Sequence, residues 1–194
     1  MMRLCFATHN AHKLREIQQM LPADWELIGL EALGCHEDLP EEQDSIEGNA
    51  LQKAQYLWDK YQVNCFADDS GLEVEALAGA PGVYSARYAG PQKNDADNLA
   101  LLLKDMQGQS NRQAQFKTCI SLVLKGEARS FVGIAKGQIV EQPRGSGGFG
   151  YDPVFVPDGY SLTFAEMSAA EKNAISHRAK AFGQLIDFLQ QISS

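Results

Sequence analysis

The sequence predicts an α/β fold with a mixed central sheet flanked by helices, and two observations support this. Short apolar runs at residues 4–7 and 63–67 each stand beside a segment with a helical period, which is typical of parallel strands next to helices. Every second residue from Phe116 to Leu124 continues one face of a long strand. Together with residues 129–135, which follow Gly126, this strand predicts an antiparallel hairpin.

Several segments carry the spacing of amphipathic helices. Their apolar positions are Leu14, Ile17, Met20 and Leu21; Ala50, Leu51, Ala54, Leu57, Trp58 and Tyr61; Leu99, Leu102, Leu103 and Met106; and Ile175, Phe182, Leu185, Ile186 and Leu189. We expect Asp95 to be the N-cap of the third segment. Ser168 and Glu171 have the spacing of a capping box ahead of the last one.

The composition favours one cytoplasmic globular domain over residues 1–194. The formal net charge of -8, without any Lys/Arg-rich run, argues against nucleic acid as a partner. No window reaches the ~18 apolar residues of a membrane span, and no secretory signal is evident. The four cysteines lie about thirty or more residues apart, so we expect reduced thiols rather than a zinc site or disulfides.

Thr8, Asn10 and Lys13 form the pattern T-x-N-x-x-K between the first strand and the first helix. Unpaired N–H groups and the dipole at a helix N-terminus favour an anion there, and phosphate is its natural form. Alternatively, Thr8 or Asn10 only caps the helix and Lys13 is a solvated side chain.

Two adjacent carboxylates, Asp68 and Asp69, follow the apolar run at residues 63–67, and we expect the strand to end there in a turn with Ser70 and Gly71. Like charges this close are costly without a cation, and Mg²⁺ prefers carboxylate oxygens. A carboxylate beside the ion can also accept a proton from an attacking water. The segment therefore indicates a Mg²⁺ site, although an Asx turn with a purely structural role would use the same residues.

Two further features could belong to this site. One is an acidic run that could supply another metal ligand or could be a solvated loop: Glu37, Asp38, Glu41, Glu42 and Asp44. The other is Lys53, which falls within the apolar stripe of the second helix beside Ala50 and Ala54. Its ammonium either reaches into a cleft or extends to the surface.

Residues 145–151, G-S-G-G-F-G-Y, are the most glycine-dense segment of the chain. They do not form a Walker A loop, because no Gly-Lys-Ser/Thr follows and a strand-like run comes next. The glycines would instead leave the ring of Phe149 free to stack on a base, and Asp152 could accept hydrogen bonds from the N–H groups of that base. A core position for Phe149 is the competing interpretation.

Lys172, His177 and Arg178 cluster near the C-terminal helix. If this helix begins after Ser176, His177 and Arg178 lie in its first turn, where cations oppose the dipole. A ligand with carbonyl or phosphate oxygens would offset that conflict, which therefore indicates function. Because purine 6-oxo groups accept hydrogen bonds where the 6-amino group of adenine donates, these donors could favour inosine and xanthosine.

Six motifs occur in order along essentially the whole chain: F-A-T-H-N-A-H-K-L-R-E-I at 6–17, G-N-A-L-Q-K-A at 48–54, F-A-D-D-S-G-L-E-V at 66–74, G-A-P-G-V-Y-S-A-R-Y-A-G at 79–90, G-G-F-G-Y-D-P-V-F at 147–155 and M-S-A-A-E-K-N-A-I-S-H-R at 167–178. Together they closely resemble the inosine triphosphate pyrophosphatase, or Ham1-like, family. The resemblance implies two lobes around a nucleotide-binding cleft and a homodimer. It also implies Mg²⁺-dependent hydrolysis of ITP, dITP, XTP and dXTP to the monophosphate and pyrophosphate.

The resemblance also implies roles for individual residues. Asp69 would be metal ligand and proton acceptor, and Glu41 would share the Mg²⁺. The triphosphate would be held by Thr8, Asn10, Lys13, Lys53 and Ser70. The substrate would also be bound by His9, Ala11 and His12. The base and sugar would be held by Phe149, Gly150, Tyr151, Asp152, Lys172, His177 and Arg178. Gly48 stands where many members have Glu, which leaves the choice between Glu41 and Glu42 open.

Two rival functions remain. A Maf-like nucleotide pyrophosphatase would act on other nucleotides, and the Ser176-His177-Arg178 segment argues against it. A nucleotide-binding module that never hydrolyses its ligand would have no use for the adjacent carboxylates Asp68 and Asp69, whose repulsion costs stability.

Overall fold

The computed structural model describes residues 2–9 and 11–193, without the side chains of residues 11, 12 and 16. Its strands are β1 (Met2–Phe6), β2 (Trp25–Ile28), β3 (Cys65–Val74), β4 (Gln113–Leu124), β5 (Glu127–Ile139) and β6 (Phe155–Pro157). Its helices are α1 (Ala11–Gln18), α2 (Ile46–Tyr61), α3 (Asp95–Asp105), α4 (Ala169–Ile175) and α5 (His177–Ser193). Short 3-10 helices cover Leu30–Leu33, Glu75–Leu77, Gly82–Arg87 and Asp152–Val154.

The six strands form one sheet in the order β2-β1-β3-β4-β5-β6. Strand β1 pairs in parallel with both β2 and β3, whereas β5 pairs antiparallel with β6. The predicted α/β fold with a mixed sheet is therefore confirmed. Strand β2 was not predicted, because four residues are too few to establish a period of two.

The predicted hairpin is formed by β4 and β5, which are joined by Lys125 and Gly126. Both connecting residues have positive φ, 53° and 85°, as a tight two-residue hairpin turn requires. The alternation of β4 holds only in its first half. From Thr118 to Val123 every residue is buried, so both faces of the strand are covered there.

The prediction of a turn at residues 68–71 is wrong. These residues lie inside β3, which continues without interruption from Cys65 to Val74. Turn-forming side chains such as those of Asp68 and Asp69 express a weak local preference, and pairing with neighbouring strands overrides it. The two carboxylates therefore extend from consecutive positions of a strand, where successive side chains point to opposite faces.

The chain divides into two compact units, each with its own apolar core. Unit 1 comprises Met1–Asp69, Cys119–Val132 and Ala181–Ser194, and unit 2 comprises Ser70–Thr118 and Gly133–Lys180. The largest fully buried side chains of unit 1 include Trp25, Phe6 and Phe66, and those of unit 2 include Phe155 and Phe164. Strands β3, β4 and β5 contribute residues to both units.

The helix caps follow local hydrogen bonding. The side chain of Ser45 accepts from the N–H of Gly48 at the start of α2, and the capping box of Ser168 and Glu171 is present at α4, as predicted. At α3 the prediction is off by one residue, because Asn94 is the N-cap and Asp95 is the first helical residue. Across residues 2–9 and 11–193, no helix is both long and apolar enough to cross a membrane.

Candidate active site

The predicted site residues fall into two groups, which we describe separately. The unit 1 group contains Thr8, His9, Lys13, Glu41, Lys53 and Asp69. The unit 2 group contains Ser70, Phe149, Gly150, Tyr151, Asp152, Lys172, His177 and Arg178. Asn10 lies outside the described residues, and so do the side chains of Ala11 and His12.

Thr8 and Lys13 lie on either side of the start of α1, where the sequence predicted a phosphate site. The N–H of Thr8 donates to the carbonyl of Phe6 at 2.7 Å. A Cβ at Gly29 would lie 3.2 Å from the carbonyl oxygen of Thr8, so the absence of a side chain at Gly29 allows this segment to pack closely. His9 is exposed, whereas Thr8 and Lys13 are half-buried.

Lys53 lies beside both carboxylates of the unit 1 group. Although it is a lysine, it is only 8% exposed, so it belongs to the buried stripe of α2 and does not extend to the surface. Its Nζ donates to Glu41 Oε1 at 2.6 Å and to the carbonyl oxygen of Asp68 at 2.8 Å. Asp69 Oδ1 lies 4.0 Å from the same Nζ. One ammonium therefore serves two carboxylates, and a buried cation needs such pairing to remain charged.

The structure separates Glu41 from Glu42. Glu41 contacts Lys53, whereas the carboxylate of Glu42 contacts Gln52 Nε2 at 3.4 Å and its N–H donates to Gln52 Oε1 at 2.9 Å. Gly48 permits this arrangement, because a Cβ there would lie 2.8 Å from Gln43 Cβ and 2.9 Å from Ser45 Oγ. The geometry therefore places Glu41, rather than Glu42, beside Asp69.

Glu37 connects the acidic run to α2. Its carboxylate accepts hydrogen bonds from Tyr56, Lys60 and Tyr61. The hydrogen bond from Lys60 is the main cause that holds the pKa of Glu37 well below its usual range, and the same contact raises the pKa of Lys60. At least this part of the predicted acidic run is therefore ordered rather than simply solvated.

The three neighbouring residues Glu41, Lys53 and Asp69 carry a net negative charge that suits a divalent cation. Glu41 and Asp69 each carry one negative charge against the single positive charge of Lys53. Among the described residues, no three His, Cys, Asp or Glu side chains form a metal-binding cluster. Mg²⁺ commonly takes only one or two protein carboxylates and fills its other positions with waters and substrate phosphates, so the Glu41 and Asp69 pair fits it.

The unit 2 group lines a cavity of about 610 Å³, which is large enough for a nucleoside. Its walls come from β3, β4, α3, the glycine-rich segment and the α4–α5 region. Phe149, at its edge, is 69% exposed, which excludes the alternative that this ring is part of the core. Ser70 also lines the cavity, and its hydroxyl lies 2.7 Å from that of the buried Thr118.

Asp152 organises the glycine-rich segment. It is 2% exposed, and its Oδ2 accepts from Lys172 Nζ at 2.5 Å and from the N–H of Phe149 at 2.9 Å. A Cβ at Gly148, which has a φ of +72°, would lie 2.1 Å from the same oxygen, so only glycine fits there. Lys172 Nζ also lies 4.7 Å from the centre of the Phe149 ring, a cation–π distance.

Tyr151 makes a second contact that holds the glycine-rich segment. Its hydroxyl donates to the carbonyl of Ser85 at 2.7 Å. Burial raises the pKa of Tyr151, so the hydroxyl keeps its proton for this hydrogen bond.

His177 and Arg178 lie in the first turn of α5, as the sequence predicted. Ser176 Oγ accepts from the N–H of Ala179 at 3.1 Å and so acts as an N-cap. The imidazole stacks on Phe116 with 4.8 Å between ring centres, and within the described part of the chain its enclosed Nδ1 has no hydrogen-bond partner. Burial, followed by the charges of Lys172, Arg178 and Lys180, lowers the pKa of His177 to about 3. His177 is therefore uncharged near neutral pH, and Arg178 and Lys180 supply the positive charge of this turn.

Several residues of the cavity were missed by the sequence analysis. Phe116 was assigned only to a strand face, Asp95 only to a helix cap, and Phe164 was not considered. The alternation along β4 predicted that Phe116 lies on its apolar face, but not that this face borders a cavity. Asp95 was predicted to be the N-cap of α3, and only the structure shows that Asn94 supplies this cap.

The sequence is similar to a known protein family and to several of its members. A model of the Ham1 family matches residues 4–188. A dITP/XTP pyrophosphatase of Flavobacterium psychrophilum is 54% identical over 189 residues, which cover 97% of this chain and 100% of the relative. A dITP/XTP pyrophosphatase of Porphyromonas gingivalis is 51% identical over 190 residues, which cover 97% of this chain and 98% of the relative.

The solved structures extend this agreement from sequence to fold. The Staphylococcus aureus Ham1 protein superposes with a TM-score of 0.93 at 37% identity, and the match covers 97% of this chain and 98% of that one. The Coxiella burnetii HAM1 protein also gives 0.93, at 35% identity, over 98% of this chain and 100% of that one. The resemblance inferred from the six motifs is confirmed, and the chain belongs to the Ham1 family.

Proposed function

We propose that this protein hydrolyses non-canonical purine nucleoside triphosphates, ITP, dITP, XTP and dXTP, to the monophosphate and pyrophosphate. The observation that carries the reaction is the buried Lys53, whose Nζ lies 2.6 Å from Glu41 and 4.0 Å from Asp69. The substrate class is supported by the relatives named dITP/XTP pyrophosphatase, which are 50 to 55% identical over nearly the whole chain. The physiological consequence is removal of these nucleotides from the nucleotide pool.

In this proposal Asp69 is the general base. Its carboxylate removes a proton from a water molecule whose oxygen attacks the α-phosphorus. A new oxygen–phosphorus bond forms, the bond from the α-phosphorus to the bridging oxygen breaks, and pyrophosphate leaves. Lys53 keeps Asp69 in place and, together with Lys13, offsets the negative charge that the triphosphate brings.

We propose Mg²⁺ as the cofactor, held by Asp69 and Glu41. When bound, it supplies positive charge to the phosphate oxygens and orients them. The donor set supports this, since both protein ligands are carboxylates and their combined charge exceeds that of Lys53. The N–H groups at the start of α1 and the side chain of Lys13 provide further positive charge for phosphate.

The unit 2 cavity is assigned to the purine and its sugar. The exposed ring of Phe149 offers a face for stacking, and Lys172 lies over its other side at 4.7 Å. Arg178 and the uncharged His177 line the same cavity and can donate hydrogen bonds to a 6-oxo group. Adenine presents an amino group at that position, so the same donors disfavour it.

The proposal is tested by measuring pyrophosphate release from ITP, XTP, dITP and ATP, each with and without Mg²⁺. We expect release from the 6-oxopurine nucleotides only with Mg²⁺, and at least about tenfold lower kcat/KM for ATP, a difference of about 1.4 kcal/mol in transition-state binding. Equal or higher activity on ATP would contradict the assignment of the base site. Binding of ITP without any pyrophosphate release would favour the non-hydrolysing module.

We also propose that the protein works in the cytoplasm as a homodimer. The described cysteines, Cys5, Cys35, Cys65 and Cys119, are all buried free thiols, which suits a reducing compartment. Sedimentation equilibrium gives the mass in solution, for which about twice the 21.3 kDa of one chain is expected.

A further inference from the structure

Asp95 makes a contact that its position in α3 does not require. The N-cap function belongs to Asn94, whose side chain accepts from the N–H of Asp97 at 3.0 Å. The carboxylate of Asp95 accepts instead from the backbone N–H of Gly150 at 2.9 Å. Asp95 also lines the cavity of unit 2. The first turn of a helix is thus joined to the glycine-rich segment beside Phe149.

The helix that carries Asp95 is firmly held. Asn98, one turn further along, is 2% exposed and donates to the carbonyl of Ala86 at 3.0 Å. Its Oδ1 accepts from the N–H of Ala89 at 2.7 Å. Leu102, in the next turn, is completely buried. Asp95 therefore extends from a fixed support, and its carboxylate can define the position of whatever it binds.

Packing alone does not fix the segment that Asp95 contacts. Phe149 is 69% exposed, and Gly150 has a φ of +59°, so neither side-chain burial nor a restricted backbone holds this tip in place. The consecutive N–H groups of Phe149 and Gly150 are each bound by a carboxylate, Asp152 and Asp95 respectively. Hydrogen bonds to a charged acceptor are stronger than neutral ones, so these two contacts set the direction of the Phe149 ring.

We propose that Asp95 is a positioning residue for the purine, which acts by holding the N–H of Gly150 so that the ring of Phe149 is presented to the base. This inference rests on the proposed function, because it assigns base stacking to Phe149. It adds a residue from α3 to the base site, and the role is indirect: Asp95 acts through the backbone of the segment.

The first experiment compares Asp95→Ala, Asp95→Asn and Asp97→Ala by steady-state kinetics with ITP. For Asp95→Ala we expect KM to rise about tenfold with kcat within about twofold, since a charge-assisted hydrogen bond is lost away from the reacting phosphorus. Asp95→Asn retains an oxygen acceptor and is expected to stay within about threefold of the wild type. Asp97→Ala removes the same charge from the same helix turn, so any effect of charge on α3 is common to both alanine variants.

A double-mutant cycle shows whether Asp95 acts through Phe149. In the Phe149→Ala background, Asp95→Ala is expected to change KM by less than about twofold, because the ring it positions is absent. If the two substitutions instead multiply their separate effects on KM, Asp95 acts independently of Phe149 and the proposal is overturned. An equal rise in KM for Asp95→Ala and Asp97→Ala would overturn it as well.

The structural link can also be measured without turnover, by NMR hydrogen exchange at the amide of Gly150. We expect exchange at least about tenfold faster in Asp95→Ala than in the wild type and in Asp97→Ala. Unchanged exchange would contradict the proposed contact. Wild-type protein that releases no pyrophosphate from ITP would contradict the proposed function instead, so the two failures are distinguishable.

Discussion

The two groups of site residues handle charge in opposite ways. In unit 1, Glu41 and Asp69 both lie beside the ammonium of Lys53, so these three residues together carry one net negative charge. In unit 2, Asp152 and Lys172 form an ion pair with no net charge, His177 is uncharged near neutral pH, and Arg178 adds a positive charge. Net negative charge around Lys53 suits a metal ion, which would in turn attract a polyphosphate, whereas an ion pair and a neutral imidazole suit an uncharged base.

This difference also predicts how each group responds to substitution. Removal of a carboxylate or of the ammonium in unit 1 changes the local charge balance on which catalysis depends. Removal of the Phe149 ring in unit 2 reduces the area that contacts the base and leaves the ion pair of Asp152 and Lys172 in place. Changes in unit 1 should therefore reduce kcat, and changes in unit 2 should mainly raise KM.

The largest effect is expected for Asp69→Asn. Loss of the general base should lower kcat by about 10²- to 10⁴-fold while ITP still binds. Asp68→Asn is the matched control, since its side chain points to the opposite face of β3, and we expect a much smaller loss. Single-turnover rates and isothermal titration with ITP separate turnover from affinity, and a wild-type rate in Asp69→Asn would end its assignment as the base.

Lys53→Met tests the surplus of charge directly. Without the ammonium, Glu41 and Asp69 repel each other, so kcat/KM should fall about 100-fold, which corresponds to about 3 kcal/mol. The Mg²⁺ concentration for half-maximal activity should also change, because a divalent cation must now balance both carboxylates alone. Lys104→Met removes the same charge from an exposed position of α3 and should leave both quantities unchanged. If Lys53→Met affects only the ITP KM, the comparison between the units fails.

The parts of the fold that follow from local pattern were predictable from the sequence. The apolar stripe from Ala50 to Tyr61 identifies α2, and Gly126 marks the hairpin turn. Each of these patterns lies within the short segment whose structure it predicts. Strand β2 and the second half of β3 were not predictable. The four residues of β2 are too few to show a period of two, and Ser70 and Gly71 in β3 prefer turns locally, so hydrogen bonds to neighbouring strands decide both segments.

For the site residues too, the sequence predicted what depends on local pattern and not what depends on the fold. Lys53 was recognisable as a candidate because a lysine in an apolar stripe conflicts with its surroundings, and the structure shows it buried between carboxylates. The choice between Glu41 and Glu42 needed the fold, since adjacent loop residues have equal chemistry. Asp95 contacts Gly150, 55 residues away, and no spacing in the sequence indicates a contact of that length.

Phe149→Ala tests whether a change in unit 2 mainly raises KM. Stacking of a base on an aromatic ring contributes about 1 to 3 kcal/mol, so the KM for ITP should rise roughly tenfold with little change in kcat. Tyr160→Ala is a suitable control, because Tyr160 is also an exposed aromatic residue of unit 2 but does not line the cavity. A loss confined to kcat would assign Phe149 to the reaction rather than to the base.

The effect expected from His177 is on stability rather than on activity, as a dependence of stability on pH. Burial lowers its pKa from 6.5 to about 3, so between these values the unfolded chain binds a proton that the folded protein does not. Its contribution to stability is complete above pH 6.5 and is lost as the pH falls, by about 2 kcal/mol at pH 5. His177→Gln should remove this part of the acid loss, and His36→Gln, at an exposed position, should retain it. Urea unfolding at pH 7 and pH 5 measures the difference, and equal acid losses in wild type and His177→Gln would show that the ring is not held neutral by burial.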